Sequence, residues 1–93
     1  MKVYIKDKIK ENEKKNKLLV KQLEFISLCR KYLIPLQAVA KLINVSRSRI
    51  VAIEIGKSYF EKAHIVKLKT KEPFKSSEVL TNLLNELLNI IEG

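Results

Sequence analysis

Three helix-breaking residues constrain the fold of this 93-residue chain more than any other feature. Pro35 disfavours helical backbone at the residue before it, and it fits the first turn of a following helix, where its missing N–H costs nothing. Gly56 is typical of a helix C-terminus, and Pro73 ends the segment that precedes it. These breaks predict one helix before Pro35, short elements up to Pro73, and a separate C-terminal segment.

The spacing of apolar residues predicts three helices in the first part of the chain. Apolar residues recur at three- and four-residue steps over residues 18–33, as in an amphipathic helix. A short second helix is predicted over residues 36–43, followed by Asn44, which tolerates left-handed backbone. Ser46 is a suitable N-cap for a third helix over residues 47–55, because its hydroxyl can accept from a free N–H of the first turn.

Residues 58–71 allow two interpretations. The sequence from His64 to Lys71 alternates Lys with apolar residues and Thr, which is typical of a β-strand. The apolar residues that could instead line one side of a helix are Phe60, Ala63, Ile65 and Leu68. The predicted fold is therefore mainly α, a small helix-turn-helix domain with a C-terminal helix, and a short basic β-wing at 58–71 is left open.

The charge is strongly positive and unevenly distributed. Lys and Arg number 19 against 10 Asp and Glu, which gives a net charge of +9 and indicates a polyanionic partner. Residues 1–31 hold ten basic and four acidic side chains, whereas residues 76–93 hold three Glu and no Lys or Arg. We therefore expect residues 18–75 to face nucleic acid and residues 76–93 to do something else. Residues 1–17 are predicted to be a basic arm or an extension of the first helix.

The sequence contains no signal of an enzyme, a metal site, a cofactor or a membrane span. His64 has no Cys, Asp or His at ligand spacing, and no phosphate-binding loop or nucleophile motif is present. No apolar run approaches the roughly 20 residues that a membrane span needs. The lone thiol, Cys29, predicts a reducing compartment, the cytoplasm.

The run from Leu36 to Lys57 meets the demands of two helices that pack at an angle and enter a DNA major groove. Ala40 is small enough for a close helix crossing, and Asn44 suits the turn. The apolar residues predicted to fill the angle between the helices are Val39, Ile43, Val45, Ile50 and Ile53. The second helix of the pair begins with polar residues, as a groove-facing end requires.

This run, LQAVAKLINVSRSRIVAIEIGK, resembles the helix-turn-helix of phage Cro and C-repressor proteins. The matching positions, all in one register, are Val39-Ala40, Asn44-Val45-Ser46-Arg47-Ser48, Ile50, Ile53-Glu54 and Gly56-Lys57. The resemblance implies a phage or plasmid transcriptional regulator, a repressor, that binds double-stranded DNA with helix 47–55 in the major groove.

The residues predicted to bind DNA follow from the resemblance and from the basic pattern. They are Gln37, Ser46, Arg47, Ser48, Arg49, Ala52 and Lys57, with Lys67 and Lys69 added if a wing is present. Arg suits bidentate recognition of guanine, and Ala can touch a thymine methyl. The resemblance also implies that Glu54 pairs with an Arg of the first helix, for which Arg30 is the candidate, one position off the usual register.

Two positions depart from the family pattern. Leu36 stands where the family generally has a phosphate-clamping Gln, and Gln37 follows one residue later. Ile55 replaces a usual polar Asn.

The C-terminal helix carries more apolar residues than one face of a small subunit's helix usually needs. It is therefore predicted to form a homodimer through Val79, Leu80, Leu83, Leu84, Leu87, Leu88 and Ile91. A dimer would present two recognition helices one DNA turn apart. Two other functions stay open: a DNA-architectural or recombination accessory protein of the excisionase or relaxosome kind, and an antitoxin-type interaction module.

Overall fold

A computed structural model describes the backbone of residues 2–93 and the side chains of residues 12–93. The helices are α1 (Lys2–Lys31), α2 (Leu36–Ile43), α3 (Arg47–Glu54), α4 (Lys62–Lys69) and α5 (Glu78–Glu92). Over these residues the chain forms helices joined by short turns and contains no strand, which confirms the mainly α prediction.

The alternative of a β-wing at 58–71 is wrong, because α4 occupies this segment. Ile65 and Leu68, three residues apart, are both fully buried, whereas Val66 is 46% exposed. A strand would have placed Val66 and Leu68 on the same face. The segment forms a helix because helical spacing lets α4 bury two large side chains between α2 and α5.

The first helix continues into the N-terminal segment, which is one of the two alternatives expected for residues 1–17, and it buries one stripe of side chains. It begins at Lys2, so residues 2–17 continue the helix expected over 18–33. From residue 12 onward, the buried side chains of the helix are Leu18, Gln22, Phe25, Ile26 and Cys29. The helix ends at Lys31, and Leu33 in the following turn adopts left-handed backbone at φ 59°.

The core lies between α1, α4 and α5, and aromatic rings fill its centre. The ring of Phe25 lies 5.8 Å from that of Phe60 and 5.6 Å from that of Phe74, measured between centroids. These distances suit the edge-to-face and tilted contacts that aromatic pairs favour. The helices α2 and α3 pack beside this core.

The residues predicted to form a dimer interface are largely used inside the subunit. Leu80, Leu83, Leu84 and Leu87 are buried where α5 packs against α1 and α4. Leu88 and Ile91 are partly buried against the same core, and Val79 is 48% exposed. The surplus of apolar residues in α5 arises because this helix packs against two neighbours, so assigning Leu80, Leu83, Leu84 and Leu87 to a dimer contact is wrong.

Candidate nucleic-acid interface

A tight turn sets the relation between α2 and α3. Asn44 adopts left-handed backbone at φ 57°, and the Val45 N–H donates to the Ala40 carbonyl at 3.0 Å. These are the features of a helix C-cap that satisfies otherwise free carbonyls. The Ser46 hydroxyl then accepts from the Arg49 N–H at 3.1 Å, as the N-cap prediction requires. Only three residues, 44–46, thus separate α2 from α3.

A glycine ends α3 and lets α1 approach closely. Gly56 has φ +81°, and a Cβ built on it would lie 3.0 Å from a methyl of Leu19. The Lys57 N–H donates to the Ala52 carbonyl at 2.8 Å, which closes the helix end.

A buried glutamine ties α1 to the end of α3 and to the segment beyond it. The Gln22 amide nitrogen donates to the Ile53 carbonyl at 2.8 Å and to the Ser58 carbonyl at 3.0 Å. Its amide oxygen accepts from the Phe60 N–H at 3.0 Å. The side chain is fully buried, so it satisfies three backbone groups where little water can reach. Sequence reasoning missed Gln22, although a lone polar residue four positions after Leu18 and three before Phe25 is a detectable signal.

An ion pair joins the same two helices closer to the surface. The guanidinium of Arg30 in α1 donates to the carboxylate of Glu54 in α3. The pairing expected from the resemblance therefore forms, in spite of the one-position offset.

Arg49 extends from α3 toward the segment that precedes α4, and 39% of its side chain is exposed. Its guanidinium donates to the Tyr59 carbonyl at 3.4 Å and lies 3.6 Å from the Glu61 carboxylate. Its Nε is buried and has no hydrogen-bond partner within the described residues. Arg49 therefore braces α3 against the start of α4, a role that its predicted contact with DNA did not anticipate.

His64 lies beside Glu61, the same residue that Arg49 approaches. Its Nδ1 accepts from the Glu61 N–H at 3.1 Å, which requires a neutral ring. Burial lowers the pKa of His64, the carboxylate of Glu61 opposes this shift, and the charge of Arg49 adds to it.

The outer face of α3 is the surface that the helix turns away from the core. Ile50 and Ile53 point inward and are buried. The outer face consists of Arg47, Ser48, Val51, Ala52 and Ile55, which follow one another at helical spacing. Among the described residues the Arg47 side chain has no hydrogen-bond or ion-pair partner.

Two apolar residues on this face were not among the predicted binding residues. Val51 is 43% exposed and Ile55 is 60% exposed. The inward positions of α3 are filled by Ile50 and Ile53, whereas Val51 and the C-cap residue Ile55 face solvent. An apolar residue one turn after an exposed Arg was the available sequence signal.

The other predicted binding residues fall into two groups. Gln37 in the first turn of α2 and Lys57 after α3 are exposed, at the ends of the two helices. Lys67 and Lys69 lie on α4, two residues apart and therefore on different sides of a helix. The single basic face expected for Lys67 and Lys69 in a wing is not formed.

The thiol of Cys29 is fully buried in the core. Burial raises its pKa to about 12.

Across the described residues no group of His, Cys, Asp or Glu could hold a metal ion. None of the helices over the same residues is both long and apolar enough to cross a membrane. Comparison with protein families, with curated proteins and with solved structures finds no match to this chain.

Proposed function

We propose that this protein binds double-stranded DNA sequence-specifically as a homodimer and represses transcription, with α3 in the major groove. The observation that carries the proposal is the outer face of α3. It presents an Arg that has no partner among the described residues, beside exposed polar and apolar residues, while other side chains tie the helix to α1 and to the segment just before α4. A fixed helix with a free basic end is what direct reading of base edges needs.

The chemistry of the outer face suits a mixed base sequence. Arg47 can donate two hydrogen bonds to guanine, the commonest specific contact in the major groove. Val51 and Ile55 can pack against thymine methyl groups, as Ala52 can. We therefore assign base recognition to these residues and to Ser48.

Contacts to the DNA backbone would come from the ends of the two helices. Gln37 and Lys57 are exposed there, and polar or cationic side chains at such positions orient a protein on the duplex. Ser46 and Arg49 act differently in this proposal, because their side chains already bond within the subunit. They position α3.

Two further observations support a repressor of the Cro and C-repressor type, encoded by a phage or plasmid. The sequence pattern of residues 36–57 carries the resemblance, and the pair formed by Arg30 and Glu54 matches its expected link between helices. The single thiol supports a cytoplasmic location. The recombination-accessory alternative relied on a wing at 58–71, a segment in which α4 lies.

The test begins with selection of binding sites from random duplex DNA by the purified protein. Binding of the winning site by Arg47→Ala is then measured by fluorescence anisotropy. We expect a loss of about 1–3 kcal/mol in specific binding, because a bidentate base contact disappears.

Lys75→Ala is the matched control, since it removes one exposed positive charge far along the chain from α3. It should weaken specific and non-specific binding alike, through the salt-dependent term alone. Enrichment of no sequence, or equal effects of Arg47→Ala and Lys75→Ala on the selected site, would contradict the proposal.

A further inference from the structure

The turn between α1 and α2 carries a leucine where a helix end usually has glycine. The Leu33 N–H donates to the Arg30 carbonyl at 3.0 Å, and the Ile34 N–H donates to the Cys29 carbonyl at 2.8 Å. In this hydrogen-bond pattern the left-handed position favours Gly, because a Cβ is strained there. Leu33 is also 88% exposed, the largest fraction among the large apolar side chains that the structure describes. Within the subunit, neither backbone preference nor burial explains a leucine at this position.

An apolar groove opens beside Leu33. It measures about 210 Å³ and is lined by Tyr32, Ile34, Pro73, Ser77 and Leu80. Tyr32 is 46% exposed, whereas Leu80 is 1% exposed and lies at the bottom of the groove. Because Tyr32 and Ile34 are the chain neighbours of Leu33, the projecting side chain and the groove lie next to each other on one surface. We call this surface the Leu33 face.

The two walls of the groove differ in charge. Of the two cations in the last turn of α1, Arg30 is bound to Glu54, and Lys31 has no ion-pair partner among the described residues. The opposite wall belongs to residues 72–80, which hold two Glu and one Lys. In a chain with a net charge of +9, a face with both signs is one where two copies can meet with little repulsion. A two-fold rotation can then place the positive wall of one copy against the negative wall of the other.

We propose that two copies of this chain dimerise through the Leu33 face, with Leu33 of each copy inserted into the groove of the other. A two-fold contact uses the same patch on both subunits. It therefore needs a projecting side chain and a recess side by side, as Leu33 and the groove are. In this arrangement Lys31 of one copy lies toward residues 72–80 of the other, and the symmetry repeats the contact.

This interface deepens the dimer of the proposed function, on which it rests. Neither Leu33 nor any residue that lines the groove belongs to α2 or α3. The outer face of α3 is therefore not used in the contact between subunits. The interface lies at the end of α1 and the start of α5, whereas the sequence predicted a contact along the whole of α5.

Sedimentation equilibrium without DNA measures the dimer dissociation constant, so the result does not depend on DNA binding. Leu33→Gly should raise this constant at least about a hundredfold, because each dimer loses two buried leucine side chains. In protein dilute enough to be monomeric, the same substitution should raise the urea concentration at the midpoint of unfolding, because Gly adopts left-handed backbone without strain. A variant that unfolds less readily and also dimerises less cannot owe the lost dimer to a folding defect.

Matched controls remove an exposed apolar side chain outside the Leu33 face. Val20→Ser on α1 and Val66→Ser on α4 should dimerise as the wild type does. Lys31→Glu and Lys41→Glu test the charges, because each lowers the net charge by two. Lys31→Glu should weaken the dimer about fivefold, since it places like charges together twice in each dimer. Lys41→Glu on the exposed side of α2 should strengthen the dimer slightly, because it reduces the general repulsion.

Four results would overturn the proposed interface. They are a wild-type protein that is monomeric throughout, a Leu33→Gly variant that dimerises as tightly as the wild type, loss of the dimer in either Val→Ser control, and equal effects of Lys31→Glu and Lys41→Glu. Sequence-specific binding through α3 would survive each of them, because Arg47→Ala tests it separately. Conversely, a dimer that depends on Leu33 would stand even if Arg47→Ala left DNA binding unchanged.

Discussion

The two sides of α3 differ in how extensively they contact the rest of the chain. The inner side contacts a buried amide from α1, an Arg–Glu pair and a tight glycine turn. The outer side carries an Arg that bonds to nothing within the described residues. The difference indicates that the fold fixes where this helix points and leaves its outer residues available for a ligand. Changes on the inner side should therefore cost stability, and changes on the outer side should cost binding.

Replacement of Gln22 should have the largest effect on stability. Gln22→Met keeps the side-chain volume but leaves the buried Phe60 N–H and the partly buried Ser58 carbonyl without their partner, and it removes one of the two donors to the Ile53 carbonyl. We expect the free energy of unfolding to fall by about 2–4 kcal/mol. Urea denaturation measures this value, with Ser27→Ala on the exposed side of the same helix as the control. A loss below about 1 kcal/mol would show that water reaches these groups.

Gly56→Ala should follow, with a loss of about 1–2 kcal/mol. An L-residue at φ +81° is strained, and the new methyl would meet Leu19 at 3.0 Å. Gly56→Asn offers a comparison, because Asn tolerates left-handed backbone better than Ala. If the alanine and asparagine variants unfold at the same denaturant concentration, backbone strain is not the cause of the lost stability.

The ion pair between Arg30 and Glu54 should contribute less, about 0.5 kcal/mol, because 62% of the Arg side chain is exposed. A double-mutant cycle with Arg30→Met and Glu54→Gln isolates this coupling. The coupling should shrink as salt is added, since solvent-exposed charges are screened. A coupling that salt leaves unchanged would point to packing of the Arg stem instead.

The smallest inner-side effect should be a dependence of stability on pH. Because the pKa of His64 in the folded protein lies below its ordinary value of 6.5, the unfolded chain binds the proton more readily. The contribution is complete above pH 6.5 and is lost as pH falls through the lowered folded-state pKa. Thermal unfolding of the wild type and of His64→Gln should therefore diverge between neutral and mildly acidic pH. If the two proteins show the same pH dependence, His64 does not contribute to it.

The ends of the short helices were predictable because their signals are local. Pro35, Asn44, Ser46 and Gly56 each fix one backbone conformation or one hydrogen bond within a few residues. The helices α2 and α3 were therefore predicted at the correct place in the chain.

The errors arose where distant segments decide the structure. Period-two alternation in residues 64–71 suggested a strand, yet burial of Ile65 and Leu68 against α2 and α5 selected a helix. The leucines of α5 looked surplus because their second neighbour, α1, lies some sixty residues away in sequence. Gln22 donates hydrogen bonds to carbonyls more than thirty residues away in the sequence, and no local pattern reveals such contacts.

The burial of Cys29 has a practical consequence for solution studies. A thiol with no exposed surface and a pKa of about 12 holds almost no thiolate at neutral pH. Alkylating dyes and spin labels should therefore leave the native thiol untouched. A cysteine introduced at Ser48 or Ser27 could then carry a single probe in an otherwise unaltered chain. Distances measured from that probe would follow the approach of DNA and the pairing of subunits.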